Sequence, residues 1–282
     1  MTRADAYLEI NIMNILENGY VDKDPRPHYS DGAPAHTKSV NHVFRTYDLS
    51  KGQFPICTKR PQAWKTAIRE ALVIYKYATN VISEMEEQGV GWWKQWDIGD
   101  GTIGHRYGFS VKRYDLVNKL IKGIKENPYG RRHIMSLWQN QDLEETPGLA
   151  PCAFLTIWNV RNAPDGKEYL DMVLIQRSGD MLVASGAGHS NEIQYAALLI
   201  MIAKVTGYEP GVFSHLVANE QIYDRHEDNA KIMLEREGTD CHPQLILHKE
   251  KGCDFYEITI DDFELVDYKP FEGEKLTFDL GI

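Results

Sequence analysis

The sequence contains few cysteines and no long apolar run. Its 282 residues include four cysteines, none of them in CxxC spacing: Cys57, Cys152, Cys241 and Cys253. A chain this long with so few cysteines is not a disulfide scaffold, so we expect free thiols in a reducing, cytoplasmic environment. The Cys and His spacing does not match a zinc site, and no metal is expected. Because no run approaches ~18 apolar residues, no transmembrane helix is expected.

The chain also lacks an excess of positive charge. It has 31 Lys and Arg against 41 Asp and Glu, a formal net charge of −10. This balance argues against a nucleic-acid coat or an anionic membrane surface as partner, although a few local arginines suffice for a small anionic ligand. Residues 1–18 are acidic and amphipathic, without the apolar segment of a signal peptide.

The order of periodic segments predicts the fold class. Apolar spacing predicts helices near 3–18, 64–77, 111–126 and 192–205, and extended segments near 134–138, 153–161, 168–177, 212–217 and 254–260. Residues 20–38, rich in Pro, Asp and Gly, are expected to form a loop. Helices and strands do not alternate regularly, which favours an α+β fold. No repeat or linker is visible, so residues 1–282 are expected to form a single domain.

One turn presents a cysteine at the start of an extended segment. Cys152 follows Pro151, and Arg177 ends the next extended segment about 24 residues later. If the two segments pair, the thiol lies beside a guanidinium, and fixed positive charge lowers a thiol pKa and activates it as a nucleophile. On residue type alone, a lone Cys is more often a small buried hydrophobe, and both interpretations remain open.

Three other features each have two interpretations. Glu70 lies within the apolar half of the 64–77 helix, where a carboxylate is either turned to solvent or functional. Arg131 and Arg132 open an extended run and suit a phosphate, although a solvated surface pair is the alternative. The segment 91–96 (GWWKQW) could stack on a flat ring or simply pack in the core.

Several short motifs in a fixed order carry a family resemblance over essentially the whole chain. They are 31–37 (DGAPAHT), 64–68 (WKTAI), 100–105 (DGTIGH), 107–108 (YG), 127–128 (NP), 131–134 (RRHI), 151–152 (PC), 177–178 (RS) with Asp180, and Tyr223 with His226. Together they resemble thymidylate synthase, most closely its Bacillus-type branch. The resemblance implies a mixed β-sheet flanked by helices, with one sheet face forming the interface of a homodimer.

The resemblance also implies a reaction. The Cys152 thiolate adds to C6 of dUMP, and C5 then accepts a one-carbon unit from the co-substrate 5,10-methylenetetrahydrofolate. Cys152, Glu70, Tyr107 and Arg177 are implied as catalytic residues. The implied dUMP contacts are Arg26, Arg131, Arg132, Gln176, Arg177, Ser178, Asp180, Asn191, Gln221 and Tyr223, with Arg131 and Arg132 reaching across from the partner subunit. The implied folate contacts are Trp93, Leu149, Asp180 and Ile282.

The sequence departs from the family pattern at two places. The segment 183–191 (VASGAGHSN) is longer than usual and has Ser190 in place of an aromatic residue, and 218–221 (ANEQ) replaces a charged and a ring-bearing residue near the sugar. Because these changes touch the folate and sugar sides, they slightly favour a phage-type dUMP hydroxymethylase that makes 5-hydroxymethyl-dUMP. The alternative is a thymidylate synthase that makes dTMP, and a ribonucleotide hydroxymethylase or a non-catalytic nucleotide-binding homologue is less favoured.

Overall fold

The computed structural model describes residues 1–281 of the chain. The α-helices of this part are α1 (Arg3–Asn18), α2 (Trp64–Leu72), α3 (Ile82–Glu87), α4 (Gly108–Arg113), α5 (Leu116–Glu126), α6 (Asn140–Glu145), α7 (Ser190–Thr206) and α8 (Glu227–Glu235). The strands are β1 (Tyr20–Val21), β2 (Thr37–Asp48), β3 (His133–Ser136), β4 (Ala153–Asn162), β5 (Glu168–Gln176), β6 (Gly179–Asp180), β7 (Glu209–Tyr223), β8 (Gln244–Leu247) and β9 (Phe263–Val266).

A mixed sheet forms the centre of the fold. Its strand order is β1-β2-β7-β5-β4-β3, with β6 paired to the end of β7. The β2/β7 and β4/β5 pairs are antiparallel, whereas β5 and β7 run parallel and are joined through α7. Parallel neighbours need such a crossover, because a tight hairpin can join only antiparallel strands. The α+β prediction with a mixed sheet flanked by helices is therefore confirmed.

The central helix α7 is apolar on almost every side. It packs between α2 and the strands β5 and β7, and its residues from Ile193 to Ala203 are all buried. A helix without a polar face is stable only inside a core, so the sequence places α7 there. Gly207 caps its C-terminus, and the φ of +89° at Gly207 is a left-handed conformation that favours glycine.

The helices predicted from periodicity are largely confirmed. α1 and α7 match their expected spans, and the 64–77 segment forms α2 followed by a π-helical turn at Val73–Tyr77. The prediction of a single helix over 111–126 is wrong. It is interrupted at Asp115, whose left-handed φ of +51° separates α4 from α5.

Three predictions about extended structure need correction. The loop expected over 20–38 contains β1 and the start of β2, and the 212–217 strand is only the middle of the much longer β7. The strand expected at 254–260 is wrong. Asp254 accepts a hydrogen bond from the backbone N–H of Tyr256, and Thr259 with Asp262 forms a capping box, so local side-chain bonds replace strand pairing there.

The two faces of the sheet differ in what covers them. One face packs under the helices and buries Trp158, Leu174 and Phe213 completely. The other face carries apolar residues on β2, β7, β5, β4 and β3, among them Phe44 on β2, 54% exposed, and Ile134 on β3, 52% exposed. No helix within residues 1–281 is both long enough and apolar enough to cross a membrane.

Candidate active site

The register of two strands brings the cysteine turn and the arginine together. In the β4/β5 pair, Ala153 lies opposite Gln176, so the residues just outside the two strands, Cys152 and Arg177, are neighbours. The backbone N–H of Arg177 donates to the carbonyl oxygen of Cys152 at 2.9 Å. The pairing that the sequence predicts for these two segments is therefore present.

The Arg177 guanidinium is fixed by the cysteine turn itself. Its Nε donates to the carbonyl oxygen of Pro151 at 3.0 Å, and its Nη2 donates to that of Ala150 at 2.8 Å. Nη2 also lies 3.4 Å from Cys152 Sγ. Since the guanidinium is held at two carbonyls, its charge stays beside the thiol.

The net pKa shift of the Cys152 thiol is opposite to the sequence expectation. Burial raises the pKa of Cys152, and the nearby charges of Arg177 and Arg26 lower it by less. The expectation of a lowered pKa is wrong because the sequence displays the arginine but not the loss of solvent around the sulfur. In the substrate-free chain at neutral pH, the sulfur is therefore held as a thiol.

A cavity of about 940 Å³ opens above this pair. It gathers most of the residues that the sequence assigns to the nucleotide: Arg26, Gln176, Arg177, Ser178, Asp180, Asn191, Gln221 and Tyr223, together with Cys152 and Leu149. Its polar and cationic lining can bind an anionic ligand with several hydrogen-bonding groups.

A second cavity of about 460 Å³ adjoins the first. It is lined by Glu70, Trp93 and Tyr107, and its wall also includes Trp92 and Trp96. Flat aromatic walls of this kind suit a planar ring. Cys152, Asn191, Trp96, Val183, Ala184 and Leu280 line both cavities. A ligand in one cavity therefore meets a ligand in the other next to the thiol.

Glu70 is buried rather than turned to solvent. The indole Nε1 of Trp92 donates to its Oε1 at 3.0 Å, and Gln194 Nε2 donates to its Oε2. Burial raises the pKa of Glu70 to about 7, although these donors act to lower it. Near neutral pH both the acid and the carboxylate are therefore populated, as proton transfer requires.

Tyr107 has a strained backbone next to the sulfur. Its φ is +50°, a conformation that bulky residues rarely adopt and that often accompanies functional sites. Its ring meets Trp93 edge-on with centroids 4.8 Å apart. Burial and the nearby Cys152 raise the pKa of Tyr107 well above 10, so its hydroxyl remains a donor.

Asp180 borders the first cavity and not the tryptophan-lined one. It accepts backbone N–H bonds from Leu182 at 3.1 Å and Val183 at 3.3 Å. Burial raises the pKa of Asp180 to about 6. Leu149 also borders only the first cavity, so of the described residues assigned to folate, Trp93 alone lines the second.

Two of the expected site residues that the structure describes do not line the cavities of this chain. Arg131 and Arg132 are exposed in the turn before β3 and line neither cavity. Ile282 lies outside the described residues. Its neighbour Gly281 borders the first cavity, and Leu280 borders both.

The sequence interpretation missed Gln194, which connects Glu70 to Asn191. Asn191 Nδ2 donates to Gln194 Oε1 at 3.2 Å, and Gln194 in turn donates to the Glu70 carboxyl group. A signal was present, because Asn191 and Gln194 are polar residues three positions apart at the start of a largely apolar helix. Within residues 1–281, no group of three or more His, Cys, Asp or Glu side chains is arranged to hold a metal ion.

Comparison with known proteins agrees with this geometry. The family model described as thymidylate synthase matches residues 5–279. The thymidylate synthase of Lactococcus lactis subsp. cremoris is 48% identical and that of Streptococcus pneumoniae 47% identical, each over the full length of both chains. The solved structure of thermostable thymidylate synthase A from Bacillus subtilis superimposes with a TM-score of 0.88 at 38% identity, covering 99% of each chain. The chain therefore belongs to the thymidylate synthase family.

Proposed function

We propose that this chain methylates dUMP at C5, taking the carbon from 5,10-methylenetetrahydrofolate and releasing dTMP and dihydrofolate. The observation that carries the proposal is the position of the Cys152 thiol. It lies where a polar, arginine-lined cavity meets a tryptophan-lined cavity, 3.4 Å from a fixed guanidinium nitrogen. The names of the full-length relatives at 47–48% identity support the same activity.

The slight preference for a dUMP hydroxymethylase is not supported. The relatives that match the whole chain at 47–48% identity are named thymidylate synthases, and so is the similar solved structure. The departures at 183–191 and 218–221 therefore do not identify a different product. Methyl transfer to give dTMP, the alternative to hydroxymethylation, is the better interpretation.

The first cavity supplies groups for each part of the nucleotide. Arg26, Arg177 and Ser178 bind the phosphate, because guanidinium groups and a hydroxyl match its oxygens. Gln176 and Asn191 serve the base, and Asn191 can accept from N3–H and donate to O4 of uracil. Gln221, Tyr223 and Asp180 serve the sugar side.

The covalent step begins at Cys152. The thiol loses its proton and Sγ bonds to C6, while the C5–C6 π electrons move toward C5 and O4. C5 then forms its bond to the incoming carbon, and a base removes the C5 proton. The bond between that carbon and the folate nitrogen then breaks, which leaves the carbon as an exocyclic methylene on C5. Hydride from the folate makes it a methyl group while Sγ leaves C6 and the C5–C6 double bond re-forms, so that the thiolate can take up a proton and begin another cycle.

The second cavity fits the reduced folate. Its tryptophan walls suit a planar ring, and the Trp93 indole lies in this wall with its Nε1 buried. When bound, methylenetetrahydrofolate supplies the one-carbon unit and the hydride. We propose Trp93 as its contact in this cavity, Leu149 and Asp180 as contacts where it reaches the first cavity, and Ile282 as a further contact, with Leu280, which borders both cavities, shielding it from water.

Glu70 transfers protons near the uracil ring, and Tyr107 donates a hydrogen bond there. A carboxyl group with a pKa of about 7 can exchange a proton with an ordered water near O4 and C5. The Tyr107 hydroxyl, which stays protonated, is a fixed donor beside the reacting sulfur.

Product analysis tests the proposed reaction. We expect purified protein with dUMP and methylenetetrahydrofolate to form dTMP and dihydrofolate in equal amounts, with dihydrofolate followed by its absorbance. Formation of 5-hydroxymethyl-dUMP with tetrahydrofolate would contradict methyl transfer. No consumption of dUMP would contradict the catalytic assignment itself.

We also propose a homodimer formed through the uncovered sheet face. This face includes the apolar Phe44–Leu216 pair of β2 and β7 and the apolar Ile134–Ile157 pair of β3 and β4. A contiguous apolar surface of this extent normally packs against a partner. Arg131 and Arg132 sit exposed in the turn that leads into this sheet, so a partner subunit brings them to the phosphate.

Mixed dimers provide a test of this arrangement. We expect Cys152→Ala subunits to be inactive alone and Arg131→Ala/Arg132→Ala subunits to be weakly active alone. After co-expression, mixed dimers should recover up to about a quarter of wild-type activity, because half of the dimers are mixed and one site in each is complete. The measurement is dTMP formation per total chain.

The matched control is Arg26→Ala, since Arg26 lines the cavity of its own chain. Mixing this variant with Cys152→Ala should give no gain over Arg26→Ala alone. If the Arg131→Ala/Arg132→Ala mixture also gives no gain, the two arginines do not act across subunits.

We further propose that residues 1–282 act as one catalytic domain in the cytoplasm. The match of the family model to residues 5–279 supports the first statement. Cys57, Cys152, Cys241 and Cys253 are free thiols, which supports a reducing compartment.

A further inference from the structure

A cluster of buried charges lies behind the base-binding side of the first cavity. Arg45, Glu192, His215 and Glu220 are completely buried. Arg45 Nε donates to Glu192 Oε1 at 2.6 Å, and its Nη1 donates to Glu220 Oε1 at 2.5 Å. Burying charge is costly unless each group is paired. The reaction proposed above uses none of these four residues directly.

The cluster reaches the cavity through Gln176, whose amide has a defined orientation. Gln176 Nε2 donates to the carbonyl oxygen of Ser178 at 2.9 Å. A carbonyl can only accept, so this bond identifies which end of the amide is the nitrogen. Gln176 Oε1 therefore faces His215 Nε2 at 3.0 Å, and that ring nitrogen must carry a proton.

The other nitrogen of His215 completes the assignment. Burial lowers the pKa of His215, so the neutral ring carries a single proton, on Nε2. Nδ1 then needs a donor. Arg45 Nη2, at 3.1 Å, supplies it, whereas Glu192 Oε1, at 3.0 Å, cannot. The Arg45 ion cluster thus holds the His215 ring at Nδ1, while Nε2–H is directed to the Gln176 amide.

Asn191 is held between this relay and a second one. Gln176 Nε2 donates to Asn191 Oδ1 at 3.3 Å. On the other side, Asn191 Nδ2 donates to Gln194 Oε1 at 3.2 Å, and Gln194 Nε2 donates to Glu70. The oxygen and nitrogen of the Asn191 amide are therefore each assigned by a chain of donors and acceptors that ends at an ionisable group.

The orientation of this amide decides which base it matches. Uracil offers a donor at N3 and an acceptor at O4, whereas cytosine offers an acceptor at N3 and a donor at N4. A carboxamide matches one pattern as it stands and the other after a 180° flip. A freely rotating Asn191 would therefore accept both bases, and only a fixed one discriminates.

We propose that His215 is a positioning residue for base specificity. Through Gln176 it holds the Asn191 carboxamide in the orientation that accepts uracil and rejects cytosine, and Arg45 with Glu192 holds His215. This inference rests on the proposed function, since it concerns the same nucleotide site, but it assigns the specificity to a residue that does not line the cavity.

Two substitutions of similar polarity separate positioning from packing. His215→Gln places its amide nitrogen near the position of the imidazole Nε2 and keeps the donor to Gln176. His215→Asn ends near the position of Nδ1 and loses that donor. We expect His215→Asn to lower the dUMP-over-dCMP binding preference roughly tenfold, and His215→Gln to stay within about threefold of wild type.

The readout is equilibrium binding of dUMP and of dCMP without folate, with thermal stability measured in parallel. A wild-type preference in His215→Asn, or equal loss in both variants, would overturn the proposal in favour of a packing role. If wild-type protein shows no preference for dUMP, the proposed substrate itself fails. That result is distinct from a failure of the relay.

A third variant covers the case in which neither His215 variant folds. Gln176→Met is nearly isosteric and leaves the ion cluster intact, but it removes both amide groups of the relay. We expect the same roughly tenfold loss of base preference. Retained wild-type preference in folded Gln176→Met protein would overturn the proposal.

Discussion

Replacing Cys152 with Ala is expected to abolish turnover of dUMP, lowering kcat by ~10⁴-fold or more. The methyl side chain cannot bond to C6, so C5 never gains the electron density that it needs to attack the one-carbon unit. The cavity remains, because the change removes one sulfur from a half-buried position. We therefore expect near-normal dUMP binding with no product, measured by dihydrofolate absorbance and by binding of dUMP.

Covalent trapping gives the same prediction a second readout. With 5-fluoro-dUMP and methylenetetrahydrofolate, the wild-type chain should form a stable adduct, because fluorine at C5 cannot leave as a proton. Cys152→Ala should form none by mass spectrometry. The matched control is Cys253→Ala, a half-buried thiol distant in sequence that lines neither cavity, which should keep both turnover and adduct. An adduct in Cys152→Ala would mean that another residue is the nucleophile.

Helix positions were predictable because periodicity reports burial directly. α1 buries one stripe that includes Leu8, Ile12 and Ile15, and α7 buries its whole surface. β2 was not predictable by the same reasoning. Its buried positions include the charged Arg45 and its exposed positions include the apolar Phe44, which reverses the usual strand pattern.

The cysteine and its arginine were predictable as neighbours, but their electrostatics were not. Two extended segments joined by a short turn form a hairpin, and Cys152 and Arg177 flank its open end. Sequence shows the charge of Arg177 but not the burial of Cys152, so the net direction of the thiol pKa could come only from the structure.

The ion cluster behind Asn191 could not be predicted from the sequence alone. Arg45 bonds to Glu192 and Glu220 across 147 and 175 residues. Local spacing carries no information about such pairs, and each residue by itself resembles an ordinary surface charge. Their proposed role in positioning Asn191 depends on hydrogen bonds that only the three-dimensional structure contains.

Replacing Glu70 with Gln is expected to lower kcat by ~10²–10⁴-fold, the usual contribution of a positioned acid or base. Gln has the same shape but cannot exchange a proton. In the wild type, the buried carboxyl group has its pKa raised to about 7, so it is protonated below that pH and ionised above it. The pH profile of kcat/KM, which reports groups of the free enzyme, should therefore show a step near pH 7 for the wild type, and the Glu70→Gln profile should lack that step.

The matched variant is Trp92→Phe, which keeps the carboxyl group and removes one of its donors. The Trp92 N–H bonds to Glu70 Oε1 at 3.0 Å and lowers the pKa by stabilising the carboxylate. Without this bond the pKa rises, so the step in the Trp92→Phe profile should move to higher pH. The two variants thus give different results for the same carboxyl group: the step is lost in Glu70→Gln and moves to higher pH in Trp92→Phe.

A step near pH 7 that persists in Glu70→Gln would mean that another group causes the step. An unmoved step in Trp92→Phe would mean that the indole bond does not set the acidity of Glu70.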